Sequence, residues 1–495
     1  MRTPSLTYHA LTVWVCFTFF TMLPLKVAEA NTDTTRGLSI KEVIDMVHNN
    51  HPLVISSRME STRGKATLRK ARGAFDPRFQ IETDGKSQDY VNQFGNPGKF
   101  TYEKEGAHLS LPTRSPIKIE TGYESGRGNL VNGESYTLKG GLRYAGISIP
   151  VLKGLITDER RTTLAQSKLF KNQSIEIQKI QLLNLSEMVW KDYVLWFIAF
   201  QQRNAYATGA QLSLERQEAL RELFKAGGCN GMDTLENYIQ LELFRTREKE
   251  WRVNTTKQRL QLSRHLWNYN NNTNEWSALG ISEDTEPSED FFNYLDSLFL
   301  SNKPNAIDVS IIPDINSLNF SVEQQRLNYK LKKWNLLPTF DLKYQQLFGN
   351  TFQDYALGSD RRFGLNFSTP LFLRKERGEM KIAEIKWQQE SLKYQFKQNE
   401  TKLKLAALYQ QGEIYKDVYE HLKNVENGYL KLFKLERNKF DSGDGTVFLL
   451  NTRENRYLNA RVKTIEQKSK YLNTLIDYLR ATGSLSKIIF GADGL

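Results

Sequence analysis

Two hydrophobic periods alternate along the chain. Apolar residues, many of them Phe or Tyr, alternate with polar ones in segments 79–84, 340–345 and 363–368, and again at Leu142 and Tyr144 and at Ile147 and Ile149. Period two predicts a β-strand with one apolar and one polar face, and its aromatic enrichment is typical of transmembrane barrel strands. An ordinary half-buried soluble sheet alternates in the same way. The pattern therefore predicts strands, and other features must decide which kind of sheet they form.

The chain has two long tracts without proline, one between Pro150 and Pro287 and one after Pro370. Because proline interrupts helix interiors, these tracts are free to form unusually long helices. We predict long helices over 157–226 and 374–440. Each ends at a glycine-rich turn, and second helices follow over 233–267 and 447–483.

The tract over 374–440 carries a heptad pattern, which indicates a coiled coil. A dimerising coiled coil without a transport role would share this pattern, but it would not explain the strand segments. The two seams are Leu408, Tyr415, Leu422 and Tyr429, and Val418, Val425 and Leu432.

Landmarks recur in the same order in the two halves. Pro52 and Pro77 are followed 261 positions later by Pro313 and Pro338, and Pro150 is followed 220 positions later by Pro370. Glycine-rich turns follow in each half. This order predicts an internal duplication. Because the offset falls from 261 to 220, the first half has about forty extra residues between Pro77 and Pro150. These residues form either added barrel strands or outer loops.

The mean hydropathy of −0.54 excludes a polytopic helical membrane protein. One apolar run, 10–23, precedes Ala28-Glu29-Ala30, which together predict a cleaved secretory signal. An N-terminal anchor is disfavoured because the run is short. The net charge of +12 comes from interspersed charges without a nucleic-acid-binding motif, so we expect no nucleic acid partner. Cys229 stands alone in the mature chain and excludes an internal disulfide.

No catalytic constellation is recognisable. His48 and His51 are three residues apart, but no further ligand completes a zinc site, and the glycine turns lack the Lys-Ser/Thr of a phosphate loop. The segment 441–445 lacks the later ligands of a calcium loop, so a helix-capping turn is the better interpretation. We expect no enzyme, no metal and no cofactor.

The predicted strands are too few to close a barrel, and an open sheet edge cannot face lipid. A barrel wall therefore requires a cyclic oligomer. The alternative is a trimeric periplasmic or cell-surface coiled-coil protein without a pore.

Three ordered motifs carry a resemblance to the TolC-like outer-membrane efflux and secretion channel family. They are Leu38–Val43 leading to His51-Pro52, the strand-to-helix segments Ile147–Gly154 and Phe367–Phe372, and the tip segments Phe224–Leu235 and Phe440–Leu450. The resemblance implies a homotrimer in the outer membrane of a Gram-negative bacterium. It further implies one shared transmembrane β-barrel that continues into a long α-helical periplasmic tunnel. Its implied partners are a periplasmic adaptor, an inner-membrane transporter and outer-membrane lipid; the cargo and the transporter class stay open.

The expected organisation is a signal peptide (1–30), a first repeat (31–268), a linker (269–303), a second repeat (304–483) and a tail (484–495). The strands are expected at about 78–150 and 339–372. The resemblance places a periplasmic tip and gate at the glycine turns and strand-to-helix junctions at Pro150 and Pro370. The gate candidates are Gly227, Gly228, Gly231, Asp233, Glu236, Gly443, Asp444, Gly445 and Asn451. Segment 447–452 has no carboxylate, which departs from the acidic tip ring frequent in the family.

Overall fold

The computed structural model describes residues 37–485, with gaps at 133, 134, 138, 139, 271–274, 305, 306 and 349–359. The expected signal peptide and residues 486–495 of the expected tail lie outside the described residues. The helices are α1 (Ile40–Asn50), α2 (Pro52–Arg72), α3 (Glu159–Lys225), α4 (Gly231–Ser263), α5 (Phe291–Ser301), α6 (Pro313–Trp334), α7 (Arg374–Asp441) and α8 (Val447–Thr482). The strands are β1 (Arg78–Val91), β2 (Pro97–Pro112), β3 (Lys118–Arg127), β4 (Leu142–Pro150), β5 (Trp267–Asn270), β6 (Glu275–Ala278), β7 (Thr339–Phe348) and β8 (Arg361–Ser368).

Helices α3 and α7 are the longest elements, with 67 and 68 residues. At a rise of ~1.5 Å per residue, each extends ~100 Å. The side chain of Asp158 caps α3 by accepting the Arg161 N–H at 2.7 Å. Each long helix packs along its shorter successor, α3 along α4 and α7 along α8. No helix within the described ranges combines the length and apolarity needed to cross a membrane.

The hydrophobic core of the helical part surrounds the middle of α3. Trp190, Tyr193 and Phe197 of α3 are fully buried and contact the ring of Phe291 edge-on, with centroids 5.3 to 6.4 Å apart. Tyr193 also donates a hydrogen bond to the Leu38 carbonyl at 2.8 Å. Burial of large aromatic side chains at this point fixes α1, α3 and α5 against each other.

The segment 269–303, expected as a linker, is partly structured. It contains a short β5–β6 hairpin and α5, whose Phe291, Leu295 and Phe299 repeat at i, i+4 and i+8 and are buried. The expected helix that reached Trp267 ends earlier, at Ser263, because the chain turns there. The Leu266 N–H bonds the Ser263 carbonyl at 3.0 Å, and Trp267 already belongs to β5.

The main sheet has six antiparallel strands in the order β1-β2-β3-β4-β7-β8, so β1 and β8 form its two edges. The mixed fold class, mostly helical with a curled antiparallel sheet, is confirmed. The described residues between Pro77 and Pro150 form four strands, whereas those between Pro338 and Pro370 form two.

The register places apolar and polar side chains on opposite faces of this sheet. The apolar face comprises Phe79, Ile81, Leu109, Ile119, Ile147, Leu342, Tyr344, Phe363, Leu365 and Phe367, most of them well exposed in the single protomer. The polar face comprises Gln80, Glu82, His108, Ser110, Glu120, Glu124, Ser148, Lys343, Gln345 and Arg362.

The polar face is the concave one, because side chains from non-adjacent strands meet there. Glu120 on β3 reaches Lys343 on β7 at 3.1 Å, and Glu124 on β3 reaches Arg362 on β8 at 3.0 Å. Gln345, also on this face, is only 1% exposed. The convex face is thus apolar and the concave face is charged.

Candidate functional site: the tip turns and the sheet lumen

The first tip turn joins α3 to α4 through Gly227, whose φ of +73° favours glycine. The Gly227 N–H donates to the Phe224 carbonyl at 3.0 Å, and the Gly228 N–H donates to the Leu223 carbonyl at 2.8 Å. These two bonds form a Schellman motif that ends α3.

The second tip turn repeats this geometry between α7 and α8. Gly443 has a φ of +85°, its N–H donates to the Phe440 carbonyl at 3.0 Å, and the Asp444 N–H donates to the Lys439 carbonyl at 3.0 Å. A Cβ at Gly445 would lie 2.7 Å from the Phe440 backbone nitrogen, so a side chain there would clash. The two turns therefore share a capping mechanism as well as a glycine-rich sequence.

Side-chain caps start the helices that leave the turns. Asn230 accepts the Asp233 N–H at 2.9 Å at the start of α4, and Thr446 accepts the Leu449 N–H at 3.3 Å at the start of α8. Gly231 is the first residue of α4, and Asp233 lies in its first turn, where a carboxylate interacts favourably with the helix dipole. Asp444 is exposed, and Glu236 is half-buried.

Both tip turns lie at the same end of the molecule, because α4 and α8 are joined close to them. Gln240 of α4 and Asn455 of α8 exchange two amide hydrogen bonds, at 2.8 and 2.9 Å. The structure thereby brings the first-half and second-half candidates to one end.

Asn451 is buried rather than presented to a lumen in the single protomer. Its side-chain oxygen accepts a hydrogen bond from Arg216 of α3, and that guanidinium also donates to Glu454 of α8 at 2.8 Å and to Asn237 of α4 at 3.2 Å. Arg216 and Glu454 have side chains only 7% and 1% exposed. We name Arg216, Asn237, Asn451 and Glu454 the buried polar cluster.

Burial raises the pKa of Glu454, and the Arg216 guanidinium opposes that rise. The cluster ties α3 and α4 to α8 a few turns behind the tip. The sequence showed Arg216 and Glu454 only as charges on long helices, and nothing distinguished them from solvated positions. The spacing of Asn451 and Glu454 at i, i+3 was the one available signal.

The proposed junction prolines both lie where the sheet meets a long helix. Pro150 is the last residue of β4 and pairs with Asp341, after which the Val151 N–H still donates to the Phe340 carbonyl at 2.7 Å. Pro370 follows β8 by two residues and precedes Leu373, the N-cap residue of α7, which has a φ of +49°.

The histidines that the structure describes do not gather into a metal site. Within the described residues, no three His, Cys, Asp or Glu side chains form a metal-binding group. His51 caps α2 by accepting the Leu53 N–H at its Nδ1 (3.1 Å), while His265 bonds Asp192 at 2.7 Å. Burial, with a smaller contribution from His265, lowers the pKa of His51 to about 4.

This combination of curled sheet, long helix pairs and glycine tips is the fold of TolC-like outer-membrane channels. Among solved structures, the chain is similar to the CmeC outer membrane channel of Campylobacter jejuni, with a TM-score of 0.60 and 15% identity over 92% of this chain and 90% of that one. It is also similar to the outer membrane protein VceC of Vibrio cholerae, with a TM-score of 0.61 and 10% identity over 90% and 96% of the two chains. The open state of the MtrE channel of Neisseria gonorrhoeae gives a TM-score of 0.59 and 12% identity over 90% and 88%.

No protein-family model and no curated protein sequence matches the chain. The resemblance read from the sequence is thus confirmed at the level of the fold.

Proposed function

We propose that the chain is one protomer of a homotrimeric outer-membrane channel that conducts substrate passively from a periplasmic tip to the exterior. It would serve a tripartite efflux pump or a type I secretion system of a Gram-negative bacterium. The observation that carries this proposal is the curled sheet, whose convex face is apolar, whose concave face is charged and whose two edges are unpaired. Such a sheet can contact lipid only after its edges are closed by other protomers.

The helical part supports the same assembly. The heptad seam of Leu408, Tyr415 and Leu422 is half-buried within the protomer, whereas Val418, Val425 and Leu432 of the second seam are 37%, 47% and 42% exposed. Apolar positions at coiled-coil spacing that stay exposed in one protomer fit contact with a second copy. The same assembly would continue the barrel as a helical tunnel.

The repeated order of elements in the two halves also supports this function. Each half has a helix, a set of strands, a long helix, a Schellman turn and a returning helix. We propose that the tip turns, about one long helix (~100 Å) from the sheet, meet a periplasmic adaptor and an inner-membrane transporter. The channel itself would have no catalytic activity, and the solved structures that it resembles are channels or membrane proteins.

The first test is single-channel conductance of the purified protein in a planar bilayer, together with its mass in detergent. A trimer with discrete openings is expected. A protein that is soluble without detergent and gives no conductance would refute the channel and favour the poreless coiled-coil alternative, which the apolar convex sheet face disfavours.

The gate is a separate proposal within this function. Asp444 is exposed beside the second Schellman turn, and three copies of it would place carboxylates around the tip of a trimer. We expect Asp444→Asn to lower cation preference in bilayer recordings. The matched control is Asp417→Asn, on the exposed side of α7. Unchanged selectivity in Asp444→Asn would remove this residue from the gate.

A further inference from the structure

The two strand segments of the main sheet are unequal. Among the residues that the structure describes, four strands lie between α2 and α3, but only two lie between α6 and α7. In the second segment, β7 pairs directly with β8. In the first, β1 and β4 are the strands that adjoin the helices, and they are separated by the β2–β3 hairpin. We name β2 and β3 the inserted hairpin.

The inserted hairpin is hydrogen-bonded into the sheet on both sides. β2 pairs with β1 from Arg78↔Ser110 to Val91↔Pro97, and β3 pairs with β4 from Lys118↔Ser148 to Glu124↔Leu142. A surface loop or a cap over the barrel mouth would not supply both ladders. The hairpin is therefore built as part of the wall.

Its two faces continue those of the neighbouring strands. Leu109 and Ile119 extend the apolar convex face, with Leu109 opposite Phe79 and Ile119 opposite Ile147. Ser110 and Glu120 extend the polar concave face. Each strand of the hairpin thus meets the same two environments as the strands on either side.

Polar contacts on the concave face also join the hairpin to strands beyond its neighbours. His108 Nδ1 on β2 lies 2.7 Å from the Tyr144 hydroxyl on β4, passing over β3 at Gly122. A Cβ at Gly122 would lie 2.8 Å from that hydroxyl, so the contact requires glycine there. Glu124 on β3 reaches Arg362 on β8. The inserted hairpin is therefore held by side-chain contacts to other strands as well as by backbone pairing.

The strand count also permits closure. Because the six strands alternate in direction, β1 and β8 run antiparallel to each other. The β8 edge of one copy can therefore pair with the β1 edge of the next in the antiparallel sense that runs through the whole sheet. A cyclic assembly leaves no edge unpaired.

We infer that the inserted hairpin enlarges the transmembrane wall, so that three protomers close a barrel of eighteen strands. This inference rests on the proposed trimeric channel. Strands lie ~4.8 Å apart and tilt by roughly 40° in barrels, so eighteen strands enclose a wall ~36 Å across, against ~24 Å for twelve. One layer of side chains occupies ~5 Å on each side of the lumen. The free inner diameter is then ~26 Å for eighteen strands and ~14 Å for twelve.

The difference decides what can leave through the barrel. An α-helix with its side chains is ~10–12 Å wide, and two packed helices are ~20 Å wide because their axes lie ~8–10 Å apart. The narrower barrel would pass a single helix, whereas the wider one passes a helical hairpin. The exit of the wider barrel is thus wide enough for partly folded polypeptide.

The test combines thiol accessibility with electron cryomicroscopy of the full-length protein. In a Cys229→Ser background, single cysteines replace Leu109 or Ser110 on β2 and, as controls, Ile147 or Ser148 on β4. Proteoliposomes are treated with a membrane-impermeant sulfonated thiol reagent. We expect modification of the cysteines at 110 and 148, and at least about tenfold slower modification at 109 and 147, which face lipid. Strands are then counted in the barrel of the unmutated protein.

Alternation on both strands with eighteen strands in the barrel supports the inference. Two results overturn the enlarged wall while leaving the channel intact. One is alternation on β4 with equal reactivity at both β2 positions, and the other is a barrel of twelve strands in the image. Loss of alternation on β4 as well, with no conductance, refutes the proposed channel and this inference with it.

Discussion

The buried polar cluster offers the sharpest test of how the two helix pairs are held together near the tip. Replacing Arg216 with Met keeps a long side chain but removes the hydrogen bonds to Asn237, Asn451 and Glu454. The Glu454 carboxylate, 1% exposed, then lies in the interior without its partner. Its pKa, already raised by burial, would rise further because the opposing guanidinium is gone.

The expected cost is large because a buried charge is left uncompensated. Removing one partner of a buried ion pair typically costs ~3–5 kcal/mol, whereas replacing both partners with apolar residues is often close to neutral. We therefore expect Arg216→Met and Glu454→Leu each to destabilise the packing of α3 on α8 by ~3 kcal/mol or more. The double variant should recover most of the loss: a residual cost of ~1 kcal/mol corresponds to a coupling energy of ~5 kcal/mol between the two sites.

Limited trypsin digestion reports this packing locally. Arg221 and Lys225 of α3 and Lys439 of α7 lie near the tip and become cleavable when the helix ends open. When cleavage follows a fast opening equilibrium, ~3 kcal/mol corresponds to cleavage that is ~100-fold faster. The rates are measured for the parent, both single variants and the double variant, and the fragments are identified by mass.

The matched control is Arg203→Met, which breaks a more exposed pair with Glu248 at 3.4 Å between α3 and α4. This pair is only partly buried and Glu248 keeps a second partner, Arg252 at 3.0 Å, so the variant should cost no more than ~1 kcal/mol and behave much like the parent. The reasoning fails if the single variants at Arg216 and Glu454 are cleaved no faster than the control. It fails equally if their effects simply add in the double variant.

Three further predictions address other contacts. Since the pKa of His51 is lowered to about 4, the folded protein should lose stability as the pH falls from about 6.5 to about 4. The thermal midpoint measures this loss, and His51→Asn, which keeps the helix cap, should make the midpoint less dependent on pH. Gly64→Ala places a Cβ 2.0 Å from the Ser174 hydroxyl and should cost ~1–3 kcal/mol in thermal unfolding, whereas Gly378→Ala, with open space around it, should be neutral or stabilising. Val425→Asp on the exposed α7 seam should reduce the trimer fraction in detergent by light scattering, and the neighbouring Asn424→Asp should leave it unchanged.

The long helices and the strands could be read from the sequence because their signals are local. Proline-free tracts predicted α3 and α7 to within two residues at each end, and alternating apolar residues predicted β7 and β8. The glycine turns were predictable for a similar reason, since Gly227 and Gly443 take a positive φ that other residues rarely adopt. These features depend on the backbone of one segment at a time.

The features that escaped prediction depend on contacts between distant segments. Arg216 and Glu454 are 238 positions apart, and only the packing of α3 on α8 brings them together. The end of α4 at Ser263 carries neither proline nor glycine, and it is set by the turn that leads to β5. The residues between Pro77 and Pro150 could form loops or strands, and only pairing between distant residues decides which. Ser110, for example, lies in a strand because it pairs with Arg78 on one side and Glu120 on the other.

The two unpaired sheet edges, β1 and β8, have a consequence for biogenesis. A newly translocated protomer of the proposed channel would carry a 14-residue edge strand, Arg78–Val91, whose own Phe79 and Ile81 side chains are exposed. Free strand edges flanked by apolar side chains are templates for aggregation. For the proposed trimer, closure of the ring and insertion into lipid would therefore have to be concerted, or a chaperone would have to shield the edges. The concentration of unassembled subunits, rather than the stability of the finished trimer, would then limit how much channel a cell can safely make.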